Sequence, residues 1–468
     1  MPSGQSLDNR FLYDSPGRVF IANVLPMLLI MIMNGLLSIV DAIFLGHFIG
    51  ASAMAAVSLV FPAVMLTIAM STLVSGGMSS QLARHLGGGR IVEAEATFAR
   101  AHGLAIIIAL ILMAIFFLVG RTLINDMADG DTRLSEMAYL FLLITILALP
   151  VQFILGLHAD AWRNEGRASL IAFMSVGVTL ANIALNYILI AQFELGIAGS
   201  ALGTAVAQAL GLAMLLGFRQ FGRGAISLDA LRRNSWMGGW GRIAALGAPL
   251  SLSFIGIALS AAFVISALRF SEGADYGVHV AAYGIVMRIF GFTFLPLMAV
   301  ALAMQSIVGN NVGAGFYKRS DTVLCIALIT VFIYCLIIEI LILSVGNFIG
   351  SVFVDDPVVI HAVDQIIQPM SYVYLFTGPV LVFALYFQAI GRPVRAALLT
   401  LTKPFLLIPA FVTTLTMFWS EKAIWLAFPL ADSVIALIAI MVLIMVSKKR
   451  TASGGLGIIA NPEPAAAG

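Results

Sequence analysis

Charged residues are scarce in this sequence. They make up 10% of its 468 residues, whereas hydrophobic residues make up 61% and the mean hydropathy is +1.04. A soluble domain uses about 25% charged residues, so this composition excludes a soluble globular protein and indicates a polytopic membrane protein. The net charge of +2 comes mainly from lysine and arginine in loops, which suits a membrane surface and predicts no nucleic-acid partner.

Cysteine is nearly absent. Cys325 and Cys335 are its only two occurrences, and both lie in one hydrophobic segment, where each is most simply a small apolar residue. No disulfide framework is therefore predicted.

The sequence also lacks common catalytic motifs. Neither HExxH nor GxSxG occurs, the histidines are scattered, and the glycine-rich stretch at 86–90 lacks the GK[ST] of a phosphate-binding loop. We therefore predict that the chain is not an enzyme and has no metal site and no cofactor. The apolar stretch after the polar N-terminus is too long for a signal-peptide core and has no small-residue cleavage pattern, so no signal peptide is predicted.

Long apolar stretches are what this sequence has in abundance. Runs of about 20 apolar residues predict membrane-spanning helices, because backbone polar groups in hydrocarbon must be satisfied within their own segment. We predict an all-α polytopic membrane protein with twelve transmembrane helices, at residues 19–46, 54–84, 97–119, 136–158, 168–192, 197–218, 243–268, 279–310, 321–348, 366–390, 396–419 and 424–447.

Lysines and arginines predict the orientation. An even number of helices puts both termini on one side, and most of the 25 basic residues, Lys403 among them, fall at the termini or in the loops predicted on that side. The opposite side has only Arg121, Arg133, Arg269 and Lys422. Both termini are therefore predicted to be cytoplasmic.

An internal repeat divides the chain. Residues 55–89 align without a gap on 281–315, with roughly a quarter identity. Two six-helix bundles of the same orientation imply a pseudo-twofold axis along the membrane normal, with substrate bound between them. The predicted organisation is an N-terminal segment 1–18, an N-lobe 19–218, an inter-lobe loop 219–242, a C-lobe 243–447 and a tail 448–468.

One carboxylate, Asp41, lies deep in the first predicted helix, within SIVDAIFLGHFIG at 38–50. When Pro26 is aligned with Pro249 in the repeat, Asp41 aligns with Val264, so only the first half carries this acid. Intramembrane acids are functional candidates, and low-dielectric surroundings disfavour the charged form, so we expect Asp41 to exchange protons near neutral pH. The alternative is a carboxylate that snorkels to the outer interface or caps the following loop.

Several blocks together resemble the multidrug and toxic compound extrusion (MATE) transporters, in particular the DinF-like branch. They occur in the family's order and cover nearly the whole chain: VDAIFLGHFIGASAMAAVSL, SGGMSSQLARHLGGGRIVEA, ANIALNYILIAQFELGIAGSALGTAVAQ, QSIVGNNVGAGFYKR and YFQAIGRPVRAALLTLTKP. The resemblance implies two bundles around a central cleft that exports organic cations against an inward flow of protons or sodium.

The resemblance also implies a site. In this branch an aspartate on helix 1 joins an asparagine and an aspartate on helix 5 and a threonine on helix 6, and the matching residues are Asp41, Asn182, Asn186 and Thr204. Asn186 replaces the second aspartate, and we find no acid on helix 7 or helix 10, where another branch places its sodium ligands. Proton coupling is therefore favoured. The alternative for the two asparagines, which share one helix face, is interhelical hydrogen bonding, and Thr204 could satisfy its own backbone.

Other polar residues have structural interpretations. Arg288 in helix 8 is predicted to be buried and to pair with Glu339 in helix 9, and Asp432 in helix 12 is assigned a similar role. The cluster Asp160, Arg163, Glu165 and Arg167 is predicted to be a solvated loop. Four aromatic residues are candidates for cation–π contacts with a substrate: Tyr283, Phe290, Tyr372 and Tyr374.

The predicted function is a secondary antiporter that exports small cationic amphipathic drugs in exchange for protons through Asp41. Asn182, Asn186 and Thr204 would contact the cation, and Pro26 would let helix 1 bend. A sodium-coupled antiporter and a lipid-linked oligosaccharide flippase of the same superfamily are the alternatives. The expected location is a bacterial plasma (inner) membrane, where the protein would be a monomer in contact with lipid.

Overall fold

The computed structural model describes residues 9–222, 224–271, 276–354, 356–419, 421–448 and 455–457. Part of the predicted N-terminal segment (1–8) and most of the predicted tail (449–454 and 458–468) lie outside the described residues. Within the described ranges the chain is helical, and most of its helices are joined by short turns; the longest connection runs from Phe221 to Trp240 and contains one short helix, Ala230–Arg233.

Among the residues that the structure describes, ten helices are long and apolar enough to cross a membrane, and two bent pairs of shorter helices complete the predicted twelve. Their bounds are α1 Pro16–Phe44, α2 Ala51–Gly87, α3 Ile91–Ile115, α4 Thr132–Leu147 with Leu149–Asn164, α5 Ala168–Asn186, α6 Gly196–Phe221, α7 Trp240–Ser271, α8 Tyr276–Gly313, α9 Tyr317–Ser351, α10 Pro357–Ser371 with Thr377–Ala389, α11 Pro393–Thr402 with Ile408–Phe418, and α12 Ala427–Ser447. The halves of α4 meet at 47° and those of α10 at 53°.

Short π-helical turns extend several of these helices. Leu45–Ile49 continues α1 and Tyr187–Gln192 continues α5, while Lys403–Leu407 joins the two parts of α11. Lys403 therefore lies within a spanning helix and not in the loop set to which the charge count assigned it.

The fold is the predicted pair of six-helix bundles. We call α1–α6 the first lobe and α7–α12 the second lobe. The end of the molecule that holds Arg10–Tyr13 and the C-terminus of α12 is called the basal end, and the opposite end the distal end.

The two lobes approach each other closely where α2 passes α7. A Cβ on Gly77 would stand 2.0 Å from the Ile243 carbonyl oxygen, and a Cβ on Gly247 would stand 1.8 Å from the Leu73 carbonyl oxygen. Glycine is required at both positions because only a residue without Cβ lets two helix backbones approach this closely. One turn further towards the distal end, the Ser251 hydroxyl donates to the Ala69 carbonyl oxygen at 2.7 Å.

Side chains add hydrogen bonds between the lobes at the basal end. Arg84 on α2 donates to the Ala389 carbonyl oxygen at the end of α10 over 2.7 Å. Arg163 on α4 donates to Ser306 Oγ on α8 over 3.2 Å, and Asn310 donates to the Asn164 carbonyl oxygen over 3.3 Å. All these bonds lie in the basal half, whereas Ser260, further along α7, donates to the Pro404 carbonyl oxygen of its own lobe.

Helix α10 begins earlier than its hydropathy indicates. Its first part starts at Pro357, where the Asp356 carboxylate caps the Val358 N–H, so it includes Asp364. The expectation that helix 10 carries no acid is therefore wrong. The first turns of the helix contain polar residues, so the apolar stretch that predicted the helix starts later than the helix itself.

Candidate functional site

Three helices of the first lobe bring the predicted site residues together in the distal half. Asp41 lies near the end of α1, Asn182 and Asn186 lie one turn apart on α5, and Thr204 lies in the third turn of α6. Asn186 Nδ2 donates to Asp41 Oδ1 over 2.6 Å, and the Asn182 amide lies 3.0 Å from Thr204 Oγ1. Each of the four side chains thus contacts at least one other.

The Asn182 amide has two useful orientations, which differ by exchanging its oxygen and nitrogen. In one, its nitrogen faces Thr204 Oγ1 and its oxygen accepts from Asn186 Nδ2 at 3.1 Å. In the other, its nitrogen donates to Asp41 Oδ1 at 3.2 Å and its oxygen accepts from the Thr204 hydroxyl and N–H. Reversing one amide therefore adds or removes a donor to the carboxylate.

Burial defines the surroundings of this network. Asn182 and Asn186 are 1% and 0% exposed, whereas Asp41 and Thr204 are partly exposed. Asn186 Oδ1 is buried with no hydrogen-bond partner and lies against Gly203, where a Cβ would stand only 2.3 Å away. The network thus combines two fully buried amides with two side chains that remain partly exposed.

Asp41 has no cationic partner in the described part of the chain. The ion pairs there join other residues, at Asp160 with Arg163, Glu165 with Arg219, Asp229 with Arg233, and Asp432 with Lys403. A carboxylate held by neutral amides and without a fixed cation can bind either a proton or a mobile cation. Within the described ranges no three His, Cys, Asp or Glu side chains cluster as a metal site would require.

The predicted pair in the second lobe does not form. Arg288 is exposed on the surface of α8, and Glu339 Oε2 instead accepts the Leu375 N–H over 2.7 Å, in the turn between the two parts of α10. The prediction failed because an arginine in an apolar helix was assumed to face inward. Asp432 does form a structural pair, but its partner is Lys403.

The cluster at the end of α4 was predicted to be solvated, and this is also wrong. Arg163 is 6% exposed and contacts Asp160 at 2.9 Å and Ser79 at 3.0 Å, as well as Ser306 of the other lobe. Only Arg167 is exposed as predicted. The second lobe covers this end of α4, and a local sequence pattern does not reveal such a neighbour.

Glu165 is likewise buried. It accepts from Arg219 at 2.8 Å and from the Ala225 N–H at 2.7 Å, which fixes the inter-lobe loop on the first lobe. Burial raises the pKa of Glu165, although the neighbouring Arg219 guanidinium opposes this effect.

The aromatic candidates divide into two groups. Tyr283 and Tyr374 are buried, and Tyr374 stacks on Phe290 at 5.5 Å and donates to Thr293 Oγ1. Tyr372 is 42% exposed and lines a cavity of about 300 Å³ that also contains Asp364 and Trp425. Sequence reasoning missed this cavity, because it placed Asp364 outside helix 10.

The sequence profile of the MatE family matches this chain twice, over residues 26–188 and 249–411. The two matched segments begin at Pro26 and Pro249, the residues whose alignment pairs Asp41 with Val264. The double match supports the internal repeat inferred from the sequence.

Similar proteins are transporters. The FAD transporter of Shewanella oneidensis is 24% identical over 436 residues, which cover 91% of this chain and 94% of that protein. The multidrug export protein MepA of Staphylococcus haemolyticus is 23% identical over 455 residues, covering 95% and 97%. This supports the prediction that the chain is not an enzyme.

Solved structures have the same fold. An outward-facing multidrug resistance MATE transporter of the MOP superfamily matches with a TM-score of 0.85 over 94% of this chain and 97% of that one, at 19% identity. A MOP superfamily transporter from Pyrococcus furiosus matches with a TM-score of 0.84 at the same identity and coverage. At this identity the likeness establishes the fold alone.

Proposed function

Because this chain belongs to the MatE family of membrane transporters, we propose that it is a proton-coupled antiporter that exports small organic cations, including drugs, from the cytoplasm. The observation that carries this proposal is the environment of Asp41. It is held by Asn186 at 2.6 Å, has no cationic partner in the described part of the chain, and lies on the partly exposed side of a buried amide network.

Competition for one negative charge provides the coupling. The ionised carboxylate attracts an organic cation, and protonation of Asp41 from the outside cancels that attraction and releases the cation. The Asn182 amide can follow this change: its nitrogen donates to the ionised carboxylate, and after reversal its oxygen accepts from the protonated one. Thr204 has a bond to Asn182 in both orientations, so it keeps the amide in place.

Charge count favours protons over sodium at this site. A dehydrated sodium ion needs several oxygen ligands, with carboxylates to offset the cost of removing its water, whereas a proton needs one basic oxygen. Asn186 supplies an amide where the family's branch has a second acid. Exchange of one proton for one monovalent cation is electrically neutral, so each pH unit contributes about 1.4 kcal/mol and sustains about a tenfold cation gradient.

The contacts at the basal end support a membrane orientation and a conformational state of the transporter. We assign the basal end to the cytoplasm, in agreement with the excess of basic residues there, and both termini with it. The inter-lobe bonds of Arg84 and Arg163 close this end. The proposed state is therefore outward-facing, with Asp41 accessible from the distal side. Pro26 is the proposed point at which α1 bends during transport.

The charge of the site also selects among substrates. One relative is named an FAD transporter, and FAD is an anion, which a lone carboxylate repels. A flippase for lipid-linked oligosaccharides needs several cationic residues to hold a pyrophosphate, whereas Arg288 is the one basic residue considered for that role. An amphipathic cation is the better complement. We also propose that the transporter is a monomer in a bacterial inner membrane.

A transport assay in liposomes tests the proposal. Purified protein is reconstituted into liposomes, and ethidium efflux is measured under an imposed pH gradient, under an imposed sodium gradient at constant pH, and with both gradients absent. We expect ethidium movement with the pH gradient alone. Transport driven by sodium alone would contradict proton coupling, and movement of FAD without ethidium would contradict the assigned substrate class.

A further inference from the structure

A short piece of the C-terminal tail is bound in a crevice at the basal end of the second lobe. Residues 455–457 lie between the start of α9, the end of α10 and the start of α11. Gly455 and Gly457 are buried, and Leu456 packs against the main hydrophobic cluster of the lobe.

The crevice binds the backbone of this segment on both edges. Asp321 accepts from the Gly455 N–H at 3.0 Å and from the Leu456 N–H at 2.9 Å. On the other edge, the Tyr386 hydroxyl donates to the Leu456 carbonyl oxygen at 2.7 Å, and Arg395 donates to the Gly457 carbonyl oxygen at 3.4 Å. Hydrogen bonds to an ionised group are about twice as strong as neutral ones, so Asp321 is the principal anchor.

The sequence of the segment matches the crevice. Gly455 and Gly457 have φ angles of +97° and +77°, a conformation that favours glycine. A Cβ on Gly457 would stand 3.1 Å from Arg395 Nη1 and Val446 Cγ1 and 3.2 Å from the Phe387 ring. Both glycines are therefore needed, one on each side of the leucine that enters the apolar cluster.

The crevice adjoins the contact that closes the basal end. Tyr386 and Phe387, which contact the tail, lie immediately before Gln388 and Ala389, whose carbonyl oxygens accept from Ser80 and Arg84 of the first lobe. The last turn of α10 is thus bound by the tail and by α2 at once. A group that binds only one of two conformations stabilises that conformation.

We propose that residues 455–457 form a latch that holds the basal end of the transporter closed, and that release of the latch favours the state open at the basal end. The proposal rests on the proposed function only in requiring that the lobes part at this end during transport. Asp321, Tyr386 and Arg395 are positioning residues in this scheme, since they act through α10 and not on the substrate.

Distance measurement between the lobes tests the latch without any substrate. Spin labels are placed at Val92 on α3 and Val394 on α11, which are 72% and 80% exposed at the basal end of opposite lobes. Both native cysteines are replaced by serine. In the full chain, G457V and D321N should each raise the ratio of long to short distances about tenfold, as expected for loss of charge-assisted hydrogen bonds. D229N, at an exposed basal carboxylate, is the matched control and should leave the ratio unchanged.

Addition of the segment as a peptide separates a latch from a folding defect. A chain ending at Lys448 should show the same shift, and the peptide SGGLGIIA should restore the short distance, whereas the same peptide with valine for its last glycine should not. An unchanged distance distribution in G457V and in the truncated chain would overturn the proposal, as would equal rescue by both peptides. None of these outcomes depends on proton coupling or on the substrate, so each is separable from failure of the proposed function.

Discussion

Asn186 on α5 and Gly203 on α6 approach so closely that a Cβ on residue 203 would stand 2.3 Å from Asn186 Oδ1. The opposite end of the same amide donates to Asp41. The position of the carboxylate's main hydrogen-bond donor is therefore set by a residue that has no side chain of its own.

Gly203→Ala should displace the Asn186 amide from Asp41. We expect at least about a tenfold loss of proton-driven ethidium export, the effect of removing one hydrogen bond to a charged group, and a destabilisation of about 1–3 kcal/mol from overpacking. Gly177→Ala on α5 is the control, because a Cβ there meets nothing within 4 Å. Full transport by the Gly203 variant would show that the amide contact is dispensable.

Asp41→Asn should abolish proton-driven export while leaving expression and thermal unfolding close to wild type. An amide keeps the shape and a hydrogen bond to Asn186 but cannot take up a proton or attract a cation. Asp126→Asn, which removes an exposed carboxylate at the distal end of the same lobe, should transport normally. If vesicles containing the Asp41 variant still exported ethidium at the wild-type rate, the coupling site would have to lie elsewhere.

Asn186→Asp should place two carboxylates within hydrogen-bonding distance, since the present atoms are 2.6 Å apart. Two like charges this close cannot both ionise freely, so the pair should retain one proton to higher pH, and with both ionised it offers a better sodium site. We expect the pH optimum of transport to move upward and sodium to stimulate efflux. Efflux rates at fixed pH with sodium or potassium chloride measure this, and equal rates in the two salts would argue against it.

Glu165→Gln should act on stability and its pH dependence rather than on coupling. The raised pKa means that the folded protein holds this proton to higher pH than the unfolded chain does, so stability is lost as pH rises from the unfolded value of 4.5 towards the folded value. The Glu165→Gln variant should lack this decrease of folding stability with rising pH. It should also be about 3 kcal/mol less stable near neutral pH, because Arg219 loses its buried partner.

Thermal unfolding of the detergent-solubilised protein across this pH range measures both effects of Glu165→Gln. Asp229→Asn breaks an exposed ion pair and should change little. Identical pH slopes for wild type and the Glu165 variant would refute the assignment.

The sequence predicted the helices well because their signal is local. An apolar run long enough to cross a bilayer is visible without its neighbours, and all twelve are present. The helix ends were less accurate, as Asp364 on α10 shows: polar residues at a helix end that reaches water or a cavity do not belong to the apolar run, although they are helical.

The site was predicted from two kinds of signal. The i, i+4 spacing of Asn182 and Asn186 was enough to place them on one face of α5, but the convergence of Asp41 and Thr204 on that face came from the family resemblance. Arg163 and Arg288 failed in opposite directions, the first buried by the other lobe and the second exposed to the surroundings. Which face of a helix a charge occupies, and what covers it, depends on packing partners that are distant in the chain.

The crossing of α2 and α7 has a mechanical consequence. Gly77 and Gly247 each lie against a backbone carbonyl of the opposite helix, so main chain approaches main chain at this crossing. A backbone contact of this kind lets one lobe rotate against the other without a change of side-chain rotamer at these two glycines. The energetic cost of this rotation then depends on the side-chain hydrogen bonds at the basal end, such as those of Arg84 and Arg163. Single substitutions far from the transported ion can therefore alter the motion.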